Sequence, residues 1–164
     1  MQTITRKLWF SAGHRVYGHE GHCKNLHGHN YVLHVTAQAP DLDSLGRVID
    51  FSVLKDRFDS WIQKNWDHGF LWFQEDRLCR KLYGDLSWLN TDLLADEEDF
   101  DELHEMKSFV CPFNPTAENM ARFLLEIVGP EVMFGTEVTI VQITIFETEN
   151  CWATASLQGT LKHV

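Results

Sequence analysis

The segment Cys23 to Tyr31, CKNLHGHNY, carries two histidines separated by a single residue. In an extended chain alternate side chains share a face, so His27 and His29 would present both imidazoles to one side as the chain enters a strand. Two such donors form a platform for a metal ion, and a third would leave a tetrahedral zinc with one open position, the arrangement of a Lewis-acid site. His14, in SAGHR at the end of the preceding strand-like run, is the natural third donor. Zinc is favoured over iron or copper because neither carboxylate nor methionine accompanies the three histidines. The competing reading is ordinary packing, since a histidine on an apolar strand is usually a core residue; tag remnants are disfavoured because no run of consecutive histidines occurs. His19, His22 and His34 are spare candidates, and seven of the nine histidines fall within the first 68 residues.

Other groups around these histidines could move protons. Cys23 lies four residues before His27, where a nearby cation would lower its pKa and populate the thiolate, making it a candidate base. Asp67 and His68 in WDHGF place a carboxylate where it could orient an imidazole for proton transfer, although capping or solvation explains most such neighbours. Glu147 shares a predicted strand face with Val141, Ile143 and Ile145, where an unpaired carboxylate is costly. A guanidine-like heterocycle with two parallel N–H donors would satisfy it; a strand-end glutamate that reaches water is the equal alternative.

The elements that must position these groups are legible from periodicity. Gln2 to Phe10 and Asn30 to Ala39 read as strands, rich in β-branched and aromatic residues. Behind an Asp50 N-cap, Phe51, Leu54, Phe58, Trp61 and Ile62 define one stripe of a helix that runs to about Asn65. Pro115 and Thr116 open a second helix with Met120, Phe123, Leu124 and Ile127 on its apolar face, and Gly129 and Pro130 predict its stop. Thr136 to Thr148 reads as a long strand with Val138, Ile140, Gln142, Thr144 and Phe146 on one face, and Cys151 to Gly159 as its hairpin partner. The order is ββααββ, an α+β arrangement with two helices on one sheet face. Residues 69 to 113 fall between the helices as an insertion, in which regularly spaced leucines and Trp72, Phe73 and Trp88 suggest one or two short helices and Asp96 to Asp101 a solvated acidic run.

Composition narrows the functional classes. The 164 residues suit one domain, 44% hydrophobic and 23% charged, which excludes disordered and disulfide-dense classes. The net charge of −10 argues against a phosphate-tracking surface for nucleic acid. Phe73 to Val110 hold 11 acidic and 4 basic residues, so the remainder is nearly balanced and an anionic small substrate stays feasible. Four dispersed cysteines without a CxxC pair predict free thiols in a reducing compartment. With neither a membrane-spanning apolar run nor a secretory leader at Met1 to Phe10, the expected location is the cytoplasm. A zinc hydrolase is disfavoured because no HExxH helix pairs ligands with a base.

Taken in order, SAGHR, CKNLHGHNY, GRVIDFSVLK, WDHGF, NPTAENMA and FETEN resemble the motifs of the 6-pyruvoyl-tetrahydropterin and 6-carboxy-tetrahydropterin synthase family across nearly the whole core. The resemblance implies a tunnelling fold: a four-stranded antiparallel sheet with two helices, three subunits joining sheets into a barrel, and two trimers stacking into a homohexamer with sites between subunits. It also implies that His14, His27 and His29 hold zinc, Cys23 is the catalytic base, and Asp67 with His68 relays the proton. By the same resemblance Glu147 anchors the amino-pyrimidine edge of a pterin and Thr116 lines its pocket. The three residues between Cys23 and His27 resemble the carboxy-forming branch, which acts on 7,8-dihydroneopterin triphosphate towards queuosine and releases acetaldehyde and triphosphate. The pyruvoyl-forming synthase and a noncatalytic, zinc-bound pterin-binding hexamer are the alternatives. Arg15, Lys24 and Arg47 are the cations available for the triphosphate, and the acidic insertion at about 69 to 113 is the departure from the family pattern.

Overall fold

The structure, a computed structural model, describes residues 2–84 and 106–157. Strands β1 (Thr3–His14) and β2 (His27–Gln38) pair antiparallel along their whole length, from Thr3 opposite Gln38 to His14 opposite His27. Helix α1 (Phe51–Asn65) follows, then strand β3 (Gly69–Phe73), a single helical turn α2 (Arg77–Cys79) extended by Arg80–Gly84, and strand β4 (Ser108–Cys111). Helix α3 (Ala117–Phe123), strand β5 (Thr139–Thr148) and strand β6 (Cys151–Ser156) come next. The sheet order is β4-β3-β1-β2-β5-β6. Among the described residues no helix is long and apolar enough to cross a membrane.

The expected four antiparallel strands form a contiguous run of this order, β1-β2-β5-β6, so the α+β reading stands. Among the described residues the sheet has six strands rather than four, because both ends of the segment read as a helical insertion are strands. Gly69–Phe73 pairs parallel with the β1 end at Ala12 to His14, and Ser108–Cys111 pairs parallel with β3. Leu78 does lie in a helical turn, whereas Leu86, Leu89, Leu93, Leu94, Trp88 and the acidic run Asp96 to Asp101 fall outside the described residues.

Helices α1 and α3 pack on one sheet face, whereas the Arg80–Gly84 turn lies on the other, with Tyr83 stacked on Phe70 at a centroid distance of 5.0 Å. Phe10, Tyr31, Leu33, Val35, Ile143 and Ile145 meet Leu54, Phe58, Ile62 and Trp66 from α1 and its end, and Met120, Ala121 and Leu124 from α3. Asp50 caps α1, its carboxylate accepting from the Ser52 amide at 2.8 Å, as the sequence predicts. Phe51 departs from the expected stripe and is half-exposed beside the cap. Three further corrections come from local irregularities. A bulge in β5 sets Thr36 opposite Gln142 but Ala37 opposite Ile140, so Ile140 joins Ile143 in the core instead of the face of Gln142. A π-type turn over Leu124–Val128 rotates the buried stripe of the second helix to Leu125 and Val128 and leaves Ile127 exposed. Gly129 and Pro130 do not stop that helix but begin a further turn, Gly129–Val132, where a missing proline N–H is tolerated.

The sheet face opposite α1 and α3 is not wholly polar. Trp9 lies opposite Val32, Val32 opposite Phe146, and Phe146 opposite Trp152, forming one apolar row across four strands. Trp9 and Trp152 remain 60% and 59% exposed.

Candidate metal centre and proton-transfer groups

Register assembles the three histidines. His14 faces His27 across the β1–β2 ladder, and His29 lies one pleat along opposite Ala12, so all three project from the helix-covered face at one end of the sheet. Gly28 between them is required by the close approach of the two strands: a Cβ there would come within 2.8 Å of the Ala12 carbonyl oxygen. The ligating nitrogens of His14, His27 and His29 lie within 4.8 Å of one another, and this group can hold a metal ion.

Backbone carbonyls orient two of the rings. His14 Nδ1 donates to the Pro115 carbonyl and His27 Nδ1 to the Asn25 carbonyl, each at 2.8 Å, which turns both Nε2 lone pairs towards the cluster. His14 is 1% exposed and its Nε2 has no hydrogen-bond partner. Burial, outweighing the carbonyl bond and reinforced by His27 and His29, lowers its pKa to about 4, so the ring is a neutral donor. Burial likewise lowers the pKa of His29, opposed by the neighbouring Glu147 carboxylate. Such a buried, unpartnered nitrogen aimed at two other imidazoles fits a metal ion better than it fits ordinary packing.

Glu147 lies beside this centre, on the core side of β5, its Oε1 4.0 Å from His14 Nε2. That separation is too long for a hydrogen bond, and the side chain is only 27% exposed. Tyr31 forms the floor: its ring packs against His14 and His29 with centroids 5.9 and 5.4 Å away, and its buried hydroxyl has no partner among the described residues. Burial, with Glu147 nearby, pushes the Tyr31 hydroxyl well above its usual range and keeps it protonated.

Asp67 and His68 form a real pair. His68 Nδ1 donates to Asp67 Oδ2 at 2.7 Å, while Asp67 Oδ1 accepts from the Ser11 amide at 2.8 Å and the Ser11 carbonyl accepts from the His68 amide at 2.6 Å. These bonds hold His68 at φ 55°, a left-handed conformation uncommon outside glycine, and leave its side chain 81% exposed. Burial alone would raise the Asp67 carboxyl, but the Ser11 amide, His68 and Lys107 together bring it below the usual value. Among the described residues no hydrogen bond or ion pair joins this pair to the three imidazoles; His27, His29 and His68 instead border one open cleft of about 640 Å3.

Cys23 is a partly exposed free thiol in a short turn, His22–Lys24, of the β1–β2 connection. Thr116 caps α3 by accepting from the Asn119 amide at 3.4 Å, directly after the Pro115 carbonyl that holds His14. Of the three cations considered for a triphosphate, two are engaged within the chain: Arg15 with the fully buried Asp76 at 3.0 Å, and Arg47 with Asp43 and Asp50 at 2.9 Å each. His34 lies on the opposite sheet face against Phe146, away from the metal cluster. The supporting carbonyls of Pro115 and Asn25 are invisible to residue-type reasoning, because every residue has one; only NPT following the acidic segment hints at the former.

Comparison with known proteins agrees with this geometry. A family profile described as 6-pyruvoyl tetrahydropterin synthase matches residues 3–158. A 6-carboxy-5,6,7,8-tetrahydropterin synthase of Rickettsia bellii (strain RML369-C) is 34% identical over 154 residues, covering 93% of this chain and 98% of its own. The enzyme of the same description from Haemophilus influenzae is 32% identical over 152 residues, covering 90% and 94%. Among solved structures, an uncharacterized protein from Wolinella succinogenes superposes with a TM-score of 0.77 at 25% identity, covering 94% and 97%. The 6-pyruvoyl tetrahydropterin synthase of Caenorhabditis elegans shares the fold with a TM-score of 0.60 at 24% identity, covering 96% of each chain. With its fold, its histidine centre and these relatives in accord, the chain belongs to the 6-pyruvoyl tetrahydropterin synthase family and is an enzyme of the lyase type.

Proposed function

We propose that the chain is a zinc-dependent 6-carboxy-5,6,7,8-tetrahydropterin synthase, converting 7,8-dihydroneopterin triphosphate and water to 6-carboxytetrahydropterin, acetaldehyde and triphosphate in the 7-deazaguanine (queuosine) pathway. The observation that carries this reading is the orphaned Nε2 of buried His14, converging with His27 and His29 beside the Glu147 carboxylate. The donor set of three neutral imidazoles suits zinc, and His14, His27 and His29 would hold it. When bound, zinc supplies Lewis acidity to substrate hydroxyls and thereby acidifies an adjacent C–H bond.

The chain's own groups supply the rest. Glu147, an anion on a largely apolar face, offers two acceptor oxygens to the paired N–H donors of a pterin's amino-pyrimidine edge. Thr116 stands at the same end of the sheet, adjoining Pro115, and lines the pterin pocket. Cys23, as thiolate, removes a proton from the substrate side chain. Asp67 holds the His68 imidazole by Nδ1, so Nε2 is the position from which the relay gives or takes a proton. We also propose a homohexamer, a dimer of trimers, in which neighbouring copies complete each site. The exposed His68 ring and the exposed Trp9 and Trp152 on the face opposite α1 and α3 support that assembly.

Incubating zinc-loaded protein with 7,8-dihydroneopterin triphosphate and identifying products by mass spectrometry tests the reading. Carboxytetrahydropterin and acetaldehyde are expected, and both should vanish in Cys23→Ala; 6-pyruvoyl-tetrahydropterin as the sole product would overturn it.

A further inference from the structure

The connection between β1 and β2, residues 15–26, runs from one histidine of the centre, His14, to another, His27, and carries Cys23. It is wired internally: the Val16 amide donates to the Cys23 carbonyl at 2.8 Å, and the Asn25 amide to the His22 carbonyl at 3.0 Å. Beyond the local bond by which the Asn25 carbonyl accepts from His27 Nδ1, its polar anchors to the rest of the chain among the described residues are two. One is the Arg15–Asp76 ion pair at 3.0 Å. The other is Asn114, whose Oδ1 accepts from the Tyr17 amide at 2.8 Å while its Nδ2 donates to the Tyr17 carbonyl at 2.7 Å.

A single planar amide thus pairs both backbone groups of Tyr17, as a neighbouring strand would. Only asparagine and glutamine offer a donor and an acceptor on one such group, and glutamine is longer by a methylene. Asn114 is itself held, its carbonyl accepting from the Thr116 amide at 2.7 Å and from Asn119 Nδ2 at 3.0 Å. The next residue, Pro115, supplies the carbonyl that orients His14. One dipeptide therefore references two things to the start of α3: the ring of His14 and the loop that bears Cys23.

We infer that Asn114 is a positioning residue for Cys23, clamping the Cys23 loop through the Tyr17 backbone in register with the histidine centre. The inference rests on the proposed role of Cys23 as base. Asn114→Asp leaves the size unchanged but sets a carboxylate oxygen against the Tyr17 carbonyl, breaking one of the two bonds.

In full-length, zinc-loaded protein, Asn114→Asp should lower kcat for 7,8-dihydroneopterin triphosphate at least about tenfold while KM stays within about threefold, because orientation rather than binding is lost. Zinc content should be unchanged. Alkylation of Cys23 by iodoacetamide, followed by peptide mass mapping, should change at least about threefold in rate, and the Val16 amide, which donates to the Cys23 carbonyl within the loop, should lose protection from hydrogen exchange. If Asn114→Asp does not fold, Asn114→Ser, which cannot satisfy both Tyr17 groups together, should move kcat and alkylation in the same direction. Unchanged kcat and alkylation would overturn the inference. So would loss of zinc in step with activity, which would assign Asn114 to the histidine centre through Pro115. Absence of turnover in the unsubstituted protein would instead count against the proposed function, and the alkylation and exchange comparison would then decide the clamp alone.

Discussion

His14 Nδ1 and the Pro115 carbonyl oxygen meet at 2.8 Å although 101 residues separate them in sequence. The contact ties the end of β1 to the entry of α3 and fixes the tautomer in which Nε2 carries the lone pair. It explains how a fully buried histidine can be a ready donor, since the groups its Nε2 faces among the described residues are two further imidazoles and a carboxylate 4.0 Å away.

The first prediction concerns these donors. Outer-shell partners of a metal-bound histidine are worth about 10–100-fold in affinity, so removing a ligand should cost more than about a hundredfold. His27→Ala should therefore emerge from purification with almost no zinc by elemental analysis, and with no synthase activity. A full complement of zinc in this variant would refute the three-histidine assignment.

Cys23 and Glu147 should separate kinetically. Cys23→Ala is expected to keep zinc and subunit assembly but lose at least about a hundredfold in turnover, the lower range for a general base. Glu147→Gln is expected to raise KM for the pterin by more than about tenfold, as a charge-assisted pair becomes a neutral one, with zinc content unaltered. A purely structural Glu147 would show only a lower unfolding midpoint.

The Asp67 carboxyl links stability to pH. A carboxyl held below its ordinary value of 3.8 stabilises the fold above that value and loses the contribution as pH falls through its folded value. Asp67→Asn should consequently lower the urea midpoint most above about pH 5, and the difference should shrink progressively as pH falls below the ordinary carboxyl value. Parallel curves across that range would show that the bond from the Ser11 amide carries no charge-dependent stability.

The thiols should divide into two classes. Burial pushes Cys79 and Cys111 up to about 12, with Asp76 adding to the effect at Cys79. Cys23 and Cys151 are accessible. Iodoacetamide at about pH 8 should label only Cys23 and Cys151 in the folded protein, and all four after denaturation. Native labelling of Cys111 would mean that β4 opens readily from β3.

Chemistry that depends on residue type and short spacing is legible in the chain. HGH on a strand places two imidazoles on one side because the pleat alternates, and the neighbouring SAGHR supplies the third. Asp50 before an apolar stripe marks the start of α1, and the four strands β1, β2, β5 and β6 carry enough β-branched residues to be read alone. The adjacency of Asp67 and His68 likewise foretells their hydrogen bond.

What the tertiary structure decided has no such local signature. GFLWF and SFVC become parallel strands only because the β1 edge offers backbone donors and acceptors at Ala12 to His14, and then β3 offers the same to β4. The bulge at β5 and the wide turn in the second helix change which residues face inward without changing composition. Pro115, Asn25 and Tyr17 act through main-chain groups that every such residue carries in equal measure. Side-chain type determined which groups could ligate, cap or move a proton; the long-range pairing of identical backbone groups decided which of them meet.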